Sequence, residues 1–249
     1  MRYYFAPMEG VTGAVYRRTH HDYFPGIDKY FMPFITPTAN GRLTPRQKRD
    51  VAPEVNAGVP AVPQLLTKSA EDFIWAANAL FDMGYREVNL NLGCPSGTVT
   101  AKGKGAGFLG DPDALDRFLD AVFSACRGAV SVKTRLGMRD PAEFDRLLEI
   151  YNRYPVAELT IHPRVRQDFY KGNVREADFA AAFPRCRMPV CYNGDVVSEA
   201  DAAAVEERYP AVQAVMIGRG LIADPSLVTR LTGGPRADKR TLEAFHNTL

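Results

Sequence analysis

A chain of 249 residues with 46% hydrophobic side chains has material for one large core or two small ones. Its 31 basic and 29 acidic residues leave a net charge of +2, so overall charge does not announce a nucleic-acid partner and only local clustering can. The four cysteines, Cys94, Cys126, Cys186 and Cys191, show no CxxC spacing, and no apolar run approaches the roughly 18 residues of a membrane span; reduced thiols in a soluble, cytoplasmic protein are expected.

Along the chain, eight short strands are predicted. They are "YYFAPM" near residue 3, "KYFMPFI" near 29, "AVPQLL" near 61, "EVNLNLG" near 87, "AVSVKTRL" near 129, "AELTIHP" near 157, "PVCYNGDV" near 189 and "AVQAVMIGRG" near 211. Helical periodicity separates most of them. Ala70, Phe73, Ile74, Ala77, Leu80 and Phe81 recur at helical spacing behind a capping signal from Ser69 to Asp72. Asp111-Pro112 and Asp140-Pro141 open two more helices with proline in the first turn, and Ser198 to Asp201 repeats the capping pattern. The second unit is the least regular, because residues 36–58 read as a basic loop. Alternation of strand and helix over eight units predicts a parallel sheet closed into a (β/α)8 barrel spanning 1–231, with 232–249 as a short tail or helix. An open, doubly wound sheet is the alternative, disfavoured because no GxGxxG turn follows the first strand.

In such a barrel the C-terminal ends of the strands face the active site. Those ends carry Pro7, Met8 and Glu9, then Gln64, Asn91 with Cys94, Lys133 with Arg135, His162, Asn193-Gly194-Asp195, and Gly218-Arg219. Within "EVNLNLGCPSGTVT", Val88, Leu90 and Leu92 alternate with Asn89, Asn91 and Gly93, and Pro95 cannot donate to a sheet ladder. Cys94 therefore sits at a strand's mouth. Lys133 within the apolar "VSVKTRL" needs an anionic or polar partner if it is buried. The glycines of "YNGDV" and "MIGRG" lie where barrels commonly bind phosphate, and Arg219 adds a fixed charge there.

The segments "APMEGVT", "NLGCPS" with "GKGAGFL", "VKTRLG", "HPRVRQDFYKG", "NGDV" and "MIGRG" occur in the order seen in tRNA-dihydrouridine synthases, which the chain resembles over about residues 3–225. That family consists of FMN-dependent barrels that reduce a uridine base in RNA, with NADPH as the expected reductant. The resemblance implies FMN contacts from Pro7, Met8 and Glu9 near the ring. Gln64 and Lys133 would address its polar edge with His162 nearby, and Asn193, Gly194, Asp195, Gly218 and Arg219 would hold the ribityl chain and phosphate. It also implies Cys94 as the catalytic acid and Asn91 as a contact to the target uracil. The chain departs from the family at Val165, where a threonine is usual, and in almost lacking the family's C-terminal helical domain.

The chemistry fits those residues. Reducing the C5=C6 bond of uracil needs a hydride at C6 and a proton at C5, and a thiol with a pKa of about 8.5 is protonated at neutral pH yet acidic enough to give its proton up. Ten basic residues fall in three loops at the expected barrel mouth: Arg42, Arg46, Lys48 and Arg49; Lys102 and Lys104; Arg164, Arg166, Lys171 and Arg175. Such clustering in a nearly neutral protein favours a polyanion, with Arg164 and Arg166 as substrate contacts and Tyr170 available to stack on a base. The expected partner is RNA, foremost tRNA, bound by a monomer. A free pyrimidine or other small molecule, as in dihydroorotate dehydrogenases, is an alternative substrate; ribosomal RNA is another, and a non-catalytic flavin- or RNA-binding module is a third reading.

Overall fold

The computed structural model describes residues 1–38 and 41–249. Nine parallel strands form one sheet: β1 (Arg2–Phe5), β2 (Lys29–Phe31), β3 (Ala61–Val62), β4 (Gln64–Leu65), β5 (Glu87–Leu92), β6 (Ala129–Gly137), β7 (Leu159–Val165), β8 (Val190–Tyr192) and β9 (Ala214–Ile217). Their order is β3-β2-β1-β9-β8-β7-β6-β5-β4. The two edge strands are consecutive in sequence and separated only by Pro63. Proline has no N–H to offer a ladder, so one barrel strand is divided in two, while the Pro63 carbonyl still accepts from Asn89 N at 2.8 Å. The sheet thus closes as the expected eight-unit barrel. No helix among the described residues is long and apolar enough to cross a membrane.

The helices form where the capping signals put them, with small shifts. Ser69 Oγ accepts from Asp72 N at the head of Ala70–Asp82, and Asp111 Oδ1 accepts from Ala114 N at the head of Pro112–Ala125. Ser198 caps Glu199–Arg208 through Asp201 N. After Asp140-Pro141 the helix starts at Glu143, because the Glu143 carboxylate turns back onto the N–H groups of Met138, Arg139 and Asp140. The expected loop over 36–58 contains the helix Pro45–Val51, closed by a reciprocal capping box between Thr44 and Gln47. Two turns with one buried residue, Val51, carry no apolar stripe for periodicity to detect.

The barrel interior divides into two halves. Tyr4, Ala6, Phe31, Val62, Cys191, Ala214 and Met216, from β8 through β9, β1 and β2 to β3 and the β1 end, form a small apolar cluster of their own. The other half, on β4 to β7, is polar: Gln64, Asn89, Ser131 and Thr160 are buried at 0–1% exposure. Outside the sheet, a large apolar core packs strands against helices. After residue 231 the helix Lys239–Thr248 lays Phe245 against Tyr16, Tyr23 and Phe24.

Candidate active site

A cavity of about 350 Å³ opens at the C-terminal ends of the strands. Of the residues expected there, Pro7, Met8, Glu9, Asn91, Cys94, Lys133, His162, Tyr170, Asn193, Gly194, Asp195, Gly218 and Arg219 all line it. Three do not. Gln64 is fully buried below Asn91, with its amide bonded to Asn89 and Asn91. Arg166 lies half-buried, its guanidinium over the Phe169 ring at 4.9 Å and bonded to Thr100 Oγ1, so it ties two loops together outside the cavity wall. Arg164 corrects the expectation of a substrate contact. It is 0% exposed and gives its donors to Asp195, His162 and the carbonyls of Lys171 and Gly172.

Cys94 is held by backbone contacts. Asn91 Oδ1 accepts from the N–H of Gly93 at 3.0 Å and of Cys94 at 2.9 Å, and Ala106 N donates to the Cys94 carbonyl at 3.0 Å. Arg135 Nε donates to the Gly93 carbonyl at 2.8 Å. Gly105 has φ +56, and a Cβ there would come within 2.9 Å of the Cys94 carbonyl, so glycine is required for the loop to close on itself. Burial pushes the Cys94 thiol above its ordinary pKa, against the lowering effect of Ser96 N–H and Arg135, which keeps it protonated at neutral pH.

The strand ends supply N–H donors. Arg164 Nη1 lies 2.9 Å from His162 Nε2; an arginine can only donate, so Nε2 accepts and the proton sits on Nδ1. Burial, reinforced by the charges of Arg135, Lys133, Arg164 and Arg219, holds His162 well below the usual histidine range, hence neutral. Burial and then the Arg135 charge lower Lys133 to about 7. Asn91 Oδ1 already accepts twice and Nδ2 donates once to Gln64 at 2.7 Å, leaving a single N–H for a ligand. Asp195 sits between Arg164 and Arg219 (2.7 Å); burial raises its carboxyl, but the hydrogen bonds and charges of the two arginines outweigh this and keep it below the usual range. The Tyr170 ring, 55% exposed, lies 5.2 Å from the Arg135 guanidinium and 5.9 Å from that of Arg219.

Arg135, read at the end of its strand with Lys133 but given no role there, also lines the cavity. It stands two positions from Lys133 on the same inward strand face, which was the signal available. Pro33 and Phe34, just past the end of β2, also line the cavity and were equally readable as a strand end. Of the ten basic residues expected at the mouth, six are exposed: Arg42, Arg46, Lys48, Arg49, Lys102 and Lys171. Arg175 is paired with Asp168 at 2.9 Å. A second groove of about 720 Å³, bordered by Arg46, Arg49 and the exposed Val11, Val15 and Val55, adjoins the cavity through Glu9, Pro33 and Phe34.

The fold and this cavity define a (β/α)8 barrel enzyme with its site at the C-terminal mouth, built from a protonated thiol and a donor-rich set of strand ends. Residues 4–244 match the family model for dihydrouridine synthase, and the chain belongs to that family. It is 28% identical over 247 residues to tRNA-dihydrouridine synthase B of Pasteurella multocida, covering 99% of this chain and 73% of that protein. To the tRNA-dihydrouridine(16) synthase of Cupriavidus necator it is 34% identical, covering 93% and 74%. A probable tRNA-dihydrouridine synthase of Rhodobacter capsulatus is 30% identical, covering 88% and 67%. Among solved structures, morphinone reductase superposes with a TM-score of 0.65 at 15% identity, over 96% of this chain and 88% of that one, a likeness of fold.

Proposed function

We propose that this protein is a flavin-dependent reductase that converts a uridine base of tRNA to 5,6-dihydrouridine. One observation carries the reading: a single cavity is lined by a thiol kept protonated by burial and by N–H donors from Asn91, His162 and Lys133. The tRNA-dihydrouridine synthases of Pasteurella multocida and Cupriavidus necator support the choice of substrate.

The donor set suits an acceptor-rich ligand such as a flavin. FMN would be held by Pro7, Met8 and Glu9 beside the ring, by Lys133 and His162 at the polar edge with Gln64 behind Asn91, and by Asn193, Gly194, Asp195, Gly218 and Arg219 along the ribityl chain and phosphate. When bound it supplies the hydride that goes to C6 of the base, and NADPH is the reductant assigned to the cycle. Cys94 Sγ gives the proton to C5, and solvent restores it. The remaining N–H of Asn91 suits a carbonyl oxygen of uracil, since an amino group would offer it no lone pair in the ring plane. Tyr170 is placed for stacking on the base or its neighbour.

Six exposed basic residues and the adjoining groove give the flanking nucleotides a path, which a free pyrimidine would not need. The four unpaired thiols fit a reducing, cytoplasmic setting, and a monomer is sufficient for the site. The deciding experiment is Cys94→Ala. Flavin content and its reduction by NADPH should be retained, while dihydrouridine formed in tRNA should fall by about 10²–10⁴-fold, the usual range for loss of a general acid. Turnover at the wild-type rate would dismiss Cys94 as the acid.

A further inference from the structure

A polar chain runs along the inside of the barrel from the cavity toward its opposite end. Glu87, Asn89 and Asn91 occupy alternate positions of β5 and so share its inner face; four residues of strand span about 13 Å. Ser131 Oγ donates to Glu87 Oε1 at 2.6 Å, and Asn89 Nδ2 donates to Ser131 Oγ at 2.8 Å. Gln64 Nε2 donates to Asn89 Oδ1 at 2.8 Å, and Asn91 Nδ2 to Gln64 Oε1 at 2.7 Å. The chain ends on Asn91 Oδ1, which receives the N–H groups of Gly93 and Cys94. Lys29 Nζ donates to the other Glu87 oxygen at 2.7 Å.

The hydrogen-bonding sense of this chain is determined from both ends. An amide turned over keeps its shape but exchanges donor for acceptor. A carboxylate only accepts, so Ser131 must give its one proton to Glu87 and accept from Asn89. Asn89 must then present its oxygen to Gln64, and Gln64 its oxygen to Asn91. At the other end, backbone N–H groups only donate, which demands the same sense. Gln64, Asn89, Asn91 and Ser131 are 0%, 0%, 6% and 1% exposed, so water has little access to repair a reversed link.

We propose that Glu87, at the end of the barrel remote from the cavity, is a positioning residue for the site. Through Ser131, Asn89 and Gln64 it holds the amide sense of Asn91 from below, together with the N–H groups of Gly93 and Cys94 from above, and so steadies the Cys94 loop and the N–H that Asn91 offers a ligand. The catalytic meaning of this rests on the uridine-reducing reading above; its effect on the Cys94 loop does not.

The test compares Glu87→Leu, which removes the terminal acceptor, with Glu87→Gln made together with Lys29→Met, where the new side-chain carbonyl accepts from Ser131 with no ammonium competing for it. Lys29→Met alone serves as a control that removes the ion pairs to Glu87 and Glu158 and leaves the chain intact. Two readouts are taken on the purified full chain: the rate of iodoacetamide alkylation of Cys94, followed on its own peptide by mass spectrometry, and uridine reduction in tRNA. Glu87→Leu should change the alkylation rate about threefold or more and lower kcat by about tenfold or more, as expected when a reacting group is misplaced by an ångström or less. Glu87→Gln with Lys29→Met, and Lys29→Met alone, should stay within about twofold of wild type in both. An unchanged alkylation rate in Glu87→Leu, or an equal change in Lys29→Met, overturns the proposal. Should Glu87→Leu fail to fold, Ser131→Ala cuts the same chain with the ion pair intact and must give the same alkylation change. A wild-type protein inactive on uridine would count against the proposed function alone, because the alkylation arm decides the positioning role without substrate or cofactor.

Discussion

Lys133 carries an ammonium that burial, and then the charge of Arg135, have lowered from 10.5 to about 7. In the unfolded chain a lysine keeps its proton to about pH 10. Between about pH 7 and 10 the unfolded state therefore binds the extra proton, and this group makes stability rise with pH through that window. Lys133→Met removes the effect. From about pH 7 to 9.5 the wild type should gain stability relative to the variant, measured as the difference in urea midpoints at each pH. A difference that stays constant with pH would mean that the ammonium is not desolvated as described. The same depressed value leaves Lys133 poised to take up a proton when an acceptor-rich ligand arrives. Arg164 and Arg219 show how differently two arginines on one carboxylate act: Arg164, wholly buried, holds Asp195 from behind the cavity, while Arg219, with its side chain 59% exposed, holds it from the open side.

At the scale of elements, the Cys94 loop is a short segment fixed by its neighbours. Arg135 on β6 grips the Gly93 carbonyl, Asn91 on β5 receives two N–H groups, and the turn Gly105–Gly110 closes onto the Cys94 carbonyl. Gly105 permits that closure through its positive φ and its missing Cβ. Gly105→Ala should cost about 1–3 kcal/mol in stability, since the new side chain meets backbone that cannot move aside cheaply. It should also alter Cys94 alkylation, because the collision is with Cys94 itself. Calorimetry and peptide mapping read the two effects, and a variant with wild-type melting and wild-type alkylation would show that the loop has slack. The helix Pro45–Val51 makes a related point. Its capping box was present in the letters Thr44, Pro45 and Gln47, but seven residues without an apolar stripe read as loop.

Over the whole molecule, the barrel is apolar on one half of its interior and polar on the other, and the site grows from the polar half. Around the mouth, six exposed basic residues replace the ten counted along the sequence. If all six meet phosphates, counterion release sets the salt dependence, and RNA affinity of this 249-residue chain should fall by up to about 10³-fold between about 50 and 200 mM salt. Titration of labelled tRNA at the two salts measures it. Binding that is tight and insensitive to salt would place recognition in base contacts rather than in these loops.

The sequence by itself determined the barrel, because period-2 apolar runs, capping residues and prolines are local signals that each act within a few residues. It also determined most of the side chains that reach the mouth, because alternation on a strand assigns a face and the last inward positions of most strands face the cavity. Tertiary structure alone decided what each of those side chains does there. Arg164 and Arg219 look alike in sequence, yet one is buried against Asp195, 31 positions away, and the other is exposed. Gln64 reads as a strand-end amide and lies beneath the cavity, because Pro63 splits its strand and Asn89 and Asn91 capture both ends of the amide. A residue's face follows from its neighbours in the chain, but its hydrogen-bond partners come from other strands, and only closure of the barrel brings those within 3 Å.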